Sequence, residues 1–276
     1  MKYKKEILLI LSIILFCIAL IFGYLNLFVI IALNLMILIY LLLKRLDTRL
    51  IIIIVIQWVM YISALVVHKY VIPLPGSGND DLRFERLALG YYNHLAYNMN
   101  VNVFQSSTAY SKFLSFFYYM GKPFEILPGF LNITVHTLCI ILLYEIVMKV
   151  FKNKKVAIVT SFLFTIYPLT MINTVITLRE VYVILFVLTF TLSILHFHEK
   201  NQLRYLISSL ISILLGSVFH IGIIGLFIFI GIYFCFFSKQ NIFIKAIILL
   251  MSVAMLFFFI LNSDDSKIQT SLGKNT

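Results

Sequence analysis

The hydrophobic pattern of this chain is one of long unbroken runs, not of alternation or of a narrow helical stripe. Nine apolar stretches stand out, at 7–23, 25–43, 50–67, 126–148, 156–172, 178–195, 205–219, 221–237 and 246–262. A helix needs about 17–25 apolar residues to cross the hydrocarbon core of a bilayer, and most of these runs reach that length. They are too long and too numerous for a soluble core. The pattern predicts an all-α polytopic integral membrane protein with about nine transmembrane helices. The expected organisation is helices 1–3 over 1–67, a long extracytoplasmic loop over 68–125, helices 4–9 over 126–262, and a flexible extracytoplasmic tail over 263–276.

The polar positions between the runs fall into two kinds that alternate along the chain. One set of connections is short and basic: Lys2, Lys4 and Lys5; Lys44, Arg45 and Arg49; Lys149, Lys152, Lys154 and Lys155; Lys200 and Arg204; Lys239 and Lys245. The other set holds the segment 68–125, a short turn with Arg179 and Glu180, a turn at His220, and the tail. Short connections rich in Lys and Arg face the cytoplasm. The reading is therefore a plasma-membrane protein with a cytoplasmic N-terminus, an extracytoplasmic C-terminus, and its acidic positions outside. The first run is expected to be a permanent anchor, because Ile21-Phe22-Gly23-Tyr24-Leu25 offers no small-residue cleavage pattern.

Composition adds little beyond this. Hydrophobic residues make up 62% of the chain, and the formal net charge is +11. Since 14 of the 22 Lys and Arg lie in the short basic connections, topology accounts for the charge and no nucleic-acid partner is expected. Cys17, Cys139 and Cys235 lie in three different runs without pairing or ligand spacing, so each reads as a small hydrophobe.

The long connection is broken by Pro73, Pro75, Gly76 and Gly78 and then becomes aromatic-rich. Loops of this length are functional or disordered, and the aromatic content argues for the former. One helix is expected to begin at Asn79-Asp80, with Phe84, Leu87, Ala88, Tyr91 and Leu95 on an apolar face at helical spacing. A second is expected from Ser106-Ser107-Thr108 to Met120, ended by Gly121-Lys122-Pro123. Both would lie at the membrane surface.

Three groups of side chains carry candidate chemistry. Asp80, Asp81 and Glu85 form an acidic cluster at the start of the first loop helix, accompanied by Arg83 and Arg86. Such acids suit either a helix N-terminus or a reaction centre. Arg179 and Glu180 stand between two apolar runs, where an ionisable pair is costly and marks a site by default; the alternative is a self-satisfied pair at a helix end. Arg179 is a planar donor suited to phosphate. His220, beside Gly222 and Gly225, and His136, within a run, read either as packed residues or as participants. His196 and His198 read as solvated helix termini. No P-loop, GxSxG, HExxH or dinucleotide fingerprint is present.

The stretch Asn79-Asp80-Asp81-Leu82-Arg83-Phe84-Glu85-Arg86-Leu87-Ala88 resembles the first outer loop of GT-C superfamily membrane glycosyltransferases. In that loop an Asp is followed four residues later by an aromatic and four further on by Ala. Asp80, Phe84 and Ala88 match, with Asp81 as the off-by-one alternative. The resemblance continues through Ser106-Ser-Thr-Ala-Tyr110, Phe117-Tyr-Tyr-Met-Gly121, Leu131-Asn132 opening a span, Tyr167-Pro168 closing the next, and Leu178-Arg179-Glu180, over roughly residues 70–195. It departs from the pattern in placing three spans before the loop and in being shorter than many relatives.

What the resemblance implies is sugar transfer from a polyprenyl-phosphate carrier to a glycan, lipid or protein acceptor on the extracytoplasmic face, in cell-surface glycan assembly. Asp80, or Asp81, would serve as general base. Arg179, with His220, would bind the departing phosphate, and Glu180 would hold Arg179 or help with a metal. Arg83 and Glu85 would join them in binding substrate or phosphate. The polyprenyl tail would lie in an apolar groove between spans. Divalent-cation use varies in the superfamily and stays open. The other readings are a repeat-unit polymerase working on lipid-linked oligosaccharides, a transporter of lipid-linked oligosaccharides, and a non-catalytic membrane scaffold that tolerates loss of Asp80, Asp81 and Arg179.

Overall fold

A computed structural model describes residues 23–43, 47–76, 79–104 and 108–236, together with isolated positions between 245 and 257. Among these residues the chain is entirely helical. The helices are α1 (Leu25–Leu43), α2 (Thr48–Tyr70), α3 (Asp80–Tyr97), α4 (Ala109–Tyr119), α5 (Leu127–Phe151), α6 (Lys154–Ile166), α7 (Pro168–Val175), α8 (Glu180–Lys200), α9 (Leu203–Phe219) and α10 (Gly225–Phe236), with a 3₁₀ turn at Ile221–Ile224. The chain divides between Leu185 and Phe186 into two compact units.

The expectation of nine spans is corrected. Four described helices, α1, α2, α5 and α8, are long and apolar enough to cross a membrane, or five if α6 and α7 count as one span. The protein is a multi-pass membrane protein, and among the described residues fewer helices reach that length than there are apolar runs, for identifiable local reasons. The run 156–172 is interrupted at Tyr167-Pro168, where α6 and α7 meet at 57°. Pro168 has no amide hydrogen, its ring collides with the preceding turn, and it pushes Tyr167 out of helical geometry (φ −66°, ψ 118°). The chain therefore bends and continues for two turns, where the sequence suggested that Tyr167-Pro168 ends the span. The run 221–237 begins as a 3₁₀ turn and leaves a 12-residue helix, and α9 has 17 residues. The runs 7–23 and 246–262 and the tail 263–276 lie outside the described residues.

In the first unit α5 is the central helix, packed against α1, α2, α6 and α7. Its interior contacts are polar as well as apolar. The Trp58 indole donates to Thr137 Oγ1 at 2.9 Å, and Thr137 in turn donates to Gln57 Oε1 at 3.0 Å. The Tyr61 hydroxyl donates to the Thr165 carbonyl at 2.9 Å and lies 3.3 Å from His136 Nε2. His136 is fully buried and stacks on Phe164 with centroids 4.9 Å apart, so here it is a packing residue. Polar side chains of this kind join helices where lipid offers no hydrophobic drive to associate. At Gly129 a Cβ would sit 2.4 Å from the Leu65 side chain; only glycine admits α2 this close to α5. Outward-facing Ile31, Leu35, Met36, Ile39, Ile52, Val55 and Val59 stay exposed, as a lipid-facing surface requires.

The two ends of this unit differ. At one end Asp47 caps α2 and accepts from Arg49 at 2.9 Å and from Lys154 at 3.1 Å. Those hydrogen bonds, from Arg49 above all, hold its carboxyl well below the usual carboxylate range. This ties Asp47 and Arg49 to the start of α6 at one end of the unit, in keeping with the basic character of both connections. The opposite end holds α3 and α4, the two helices anticipated in the long connection.

In the second unit His196 stacks on Tyr205 at 4.8 Å, and His198 lies 2.9 Å from the Tyr233 hydroxyl. These two histidines are engaged with tyrosines and are not merely solvated termini.

Candidate active site

Helix α3 begins after Asn79, which takes left-handed geometry (φ 69°) and makes no side-chain cap bond. The acids that follow are separated by the helix itself. Consecutive residues point about 100° apart, so Asp80 and Asp81 cannot share an environment. The Asp80 side chain is 56% exposed and pairs with exposed Arg83 at 3.4 Å. Asp81 turns inward: its side chain is 6% exposed, and its Oδ2 lies 3.6 Å from Nε2 of the equally buried His68. Asp81 Oδ1 has no hydrogen-bond partner among the described residues.

A cavity of about 450 Å³ with both polar and apolar walls opens beside this pair, lined by His68, Lys69, Pro73, Leu74, Gly76, Asn79, Asp81 and Leu82. Its size falls in the range of small-molecule sites. Asp81 and His68 are the buried polar groups on its wall, and Asp80 is not among the lining residues. Among the described residues no group of three His, Cys, Asp or Glu is close enough to hold a metal ion.

One turn along α3, Glu85 joins three elements. It pairs with Lys69 at the end of α2 at 2.6 Å and accepts a hydrogen bond from the Thr177 hydroxyl. The neighbouring Phe84 carries Arg179, whose guanidinium carbon lies 5.7 Å from the ring centroid. Positions 81, 84 and 85 lie on one face of a helix. The structure thus gathers Asp81, Glu85 and Arg179 around one turn of α3, leaving Asp80 and Arg83 on its exposed side.

The segment that presents Arg179 is held from below. Buried Asn132 donates to the carbonyls of Leu178 at 3.0 Å and Ile176 at 3.4 Å, and accepts from the Tyr110 hydroxyl at 3.1 Å. Burial, reinforced by Tyr182, pushes the Tyr110 hydroxyl well above its ordinary pKa, which keeps it a donor to Asn132. Tyr110 also packs edge-on against Phe84, and Ser111 donates to the Phe84 carbonyl at 2.9 Å. Replacing Asn132 by Leu removes the acceptor of the Tyr110 hydroxyl and the side-chain donor to the Leu178 carbonyl. Each buried group left without its partner costs about 1–3 kcal/mol. The expected result is a clear drop in the detergent melting temperature. Thermal unfolding of the purified variant measures this.

The remaining residues singled out from the sequence are placed as follows. Glu180 is the first residue of α8 and is half-buried, and its Oε2 has no partner among the described residues. His220 belongs to the second unit, where it is exposed and accepts from the Gly222 amide at 3.0 Å, capping the 3₁₀ turn. The residues that sequence reasoning missed are His68, Lys69 and Thr177. The available signal was slight: His68-Lys69 closes the third apolar run just before the Pro-rich turn.

Comparison with known proteins gives a family for the chain. The family model described as dolichyl-phosphate-mannose-protein mannosyltransferase matches residues 113–263, more than half of the chain. The match includes Asn132, Thr177, Arg179, Glu180 and His220 and begins after the Asp80–Glu85 cluster. No curated protein and no solved structure matches significantly. The resemblance first visible in scattered motifs is therefore one of family: the chain belongs to the dolichyl-phosphate-mannose-protein mannosyltransferase family, a family of GT-C membrane glycosyltransferases that use a lipid-phosphate sugar donor.

Proposed function

We propose that this protein transfers a sugar, mannose as the family implies, from a polyprenyl-phosphate carrier to a hydroxyl of a glycan, lipid or protein acceptor. The reaction takes place on the extracytoplasmic face and serves cell-surface glycan assembly. The observation that carries this reading is the buried Asp81, which lines a cavity within one helical turn of the residue that supports Arg179. Two of the basic connections meet through Asp47, Arg49 and Lys154 at the opposite end of the first unit, which supports an extracytoplasmic position for the cavity.

In this mechanism the acceptor hydroxyl enters the cavity and gives its proton to the Asp81 carboxylate while its oxygen attacks the anomeric carbon. The bond from that carbon to the phosphate oxygen breaks, and its electron pair leaves with the lipid phosphate. Arg179 stabilises the charge that develops there. The roles first considered for Asp80 and Arg83 pass to the exposed rim, and Glu85 holds α3 to the Arg179 segment. Glu180, beside Arg179, keeps the guanidinium oriented. His220 takes no step in this mechanism.

Purified protein reconstituted in liposomes tests the donor class. With radiolabelled mannose on a polyprenyl phosphate, label is expected to leave the donor in a protein-dependent manner when membrane acceptors are present. A nucleotide-linked mannose is expected to stay intact. Consumption of the nucleotide sugar, or of neither donor, overturns the reading.

A further inference from the structure

We infer that His68 is a positioning residue that aims the Asp81 carboxylate at the acceptor hydroxyl, and that the backbone of the 72–76 turn sets the protonation form in which it does so. This inference rests on the glycosyl-transfer reading of the cavity.

The two ring nitrogens of His68 have different occupations. Nδ1 accepts a hydrogen bond from the Leu74 amide at 2.9 Å. A nitrogen that accepts carries no proton, so the neutral ring holds its proton on Nε2. Nε2 faces Asp81 Oδ2 at 3.6 Å, and both side chains are 6% exposed. That contact is longer than a hydrogen bond, the loose geometry common in catalytic pairs before substrate is seated. His68 therefore has no free lone pair with which to take a proton from an acceptor. Of the two buried groups on the cavity wall, only the carboxylate can act as base.

Oδ2 is turned to the imidazole N–H, and Oδ1 is buried without a hydrogen-bond partner among the described residues, while the residue as a whole lines the cavity. Lys69, the neighbouring cation, is committed to Glu85 at 2.6 Å. His68 is thus the side chain placed to fix the rotation of the Asp81 carboxylate. The 72–76 turn reaches the base through the Leu74 amide, and Leu74 and Gly76 also line the cavity. An acceptor that presses on this wall acts on the orientation of the carboxylate.

Two substitutions separate positioning from packing. His68→Asn keeps an acceptor near the Nδ1 position for the Leu74 amide but removes the donor facing Asp81. His68→Gln places an amide N–H near the Nε2 position and restores that donor. The assay is release of labelled mannose from polyprenyl-phosphate-mannose in liposomes, with full titration of the donor and thermal unfolding of each variant.

For His68→Asn, kcat is expected to fall by about 10²-fold, the effect of misplacing a reacting group by about 1 Å, with donor KM and melting temperature unchanged. His68→Gln is expected to recover most of the loss. Wild-type kcat in His68→Asn overturns the inference while leaving the glycosyl-transfer reading intact. Equal losses in both variants together with a lowered melting temperature overturn it in favour of a purely structural histidine. Full activity of Asp81→Asn, measured beside them, removes the base that His68 is said to aim, and the underlying reading with it.

Discussion

Asp81→Asn is expected to lower kcat for sugar transfer by about 10²–10⁴-fold, the usual contribution of a positioned general base, while Asp80→Asn keeps most of the activity. The two residues are adjacent, carry the same group and stand at the start of the same helix, so the contrast isolates environment from composition. Asp81 is buried beside His68 and faces the cavity; Asp80 is exposed and pairs with Arg83 across one turn of helix. An amide at position 81 keeps the shape of the carboxylate but cannot take the acceptor proton. The loss should therefore fall on kcat, with little change in donor KM. Steady-state kinetics of both variants in liposomes, at matched protein levels, decides the matter. Equal and severe losses at both positions would instead mean that the cluster acts as a unit. A loss confined to Asp80→Asn would return the base to the exposed rim.

Arg179→Ala is expected to reduce kcat by about 10²–10³-fold, the cost of removing one group that stabilises charge in the transition state. Arg179→Lys should recover only part of it. The guanidinium is preset above the Phe84 ring, and its segment is held by Asn132 through the carbonyls of Ile176 and Leu178 and by Glu85 through Thr177. A planar cation fixed in this way can meet a departing phosphate with two parallel hydrogen bonds, which the compact ammonium of lysine cannot reproduce. Because the charge grows as the sugar–phosphate bond breaks, the effect should be larger on kcat than on donor KM. Donors with progressively better leaving phosphates should narrow the gap between wild type and Arg179→Ala. If Arg179→Ala turns over polyprenyl-phosphate-mannose normally, Arg179 is only a structural cation on Phe84.

These two predictions also mark where the sequence was legible. The apolar runs, the alternation of basic and acidic connections, and the order of short motifs from Asp80 to Glu180 were enough to point to a multi-pass GT-C glycosyltransferase, and the family match over 113–263 agrees. Such features are one-dimensional: a span is a length of apolar residues, and a loop helix is a periodicity with a start signal. The helices Asp80–Tyr97 and Ala109–Tyr119 could be read from Phe84, Leu87 and Ala88 and from Ser106 to Met120 for that reason. The span count failed for the complementary reason. Hydropathy sums over the Tyr167-Pro168 bend and over the 3₁₀ turn after His220 without registering that the backbone hydrogen bonds are interrupted there.

Which of Asp80 and Asp81 is buried was decided by the tertiary structure alone. Motif spacing favours Asp80, but a single residue step turns a side chain by about 100° around the helix axis. Which direction is inward depends on where α2 and α4 lie against α3. The partners of the site were hidden in the same way. His68 meets Asp81 only because the 72–76 turn reverses the chain and lends the Leu74 amide to its ring; Thr177 meets Glu85 across 92 residues; and Asn132 reaches from the central helix to the Arg179 segment. The sequence by itself determined the membrane class, the family and the segments that carry charge. Only the tertiary structure decided which carboxylate is buried, because burial and partnership depend on the rotation of each helix and on contacts between distant segments, and neither leaves a trace in local composition.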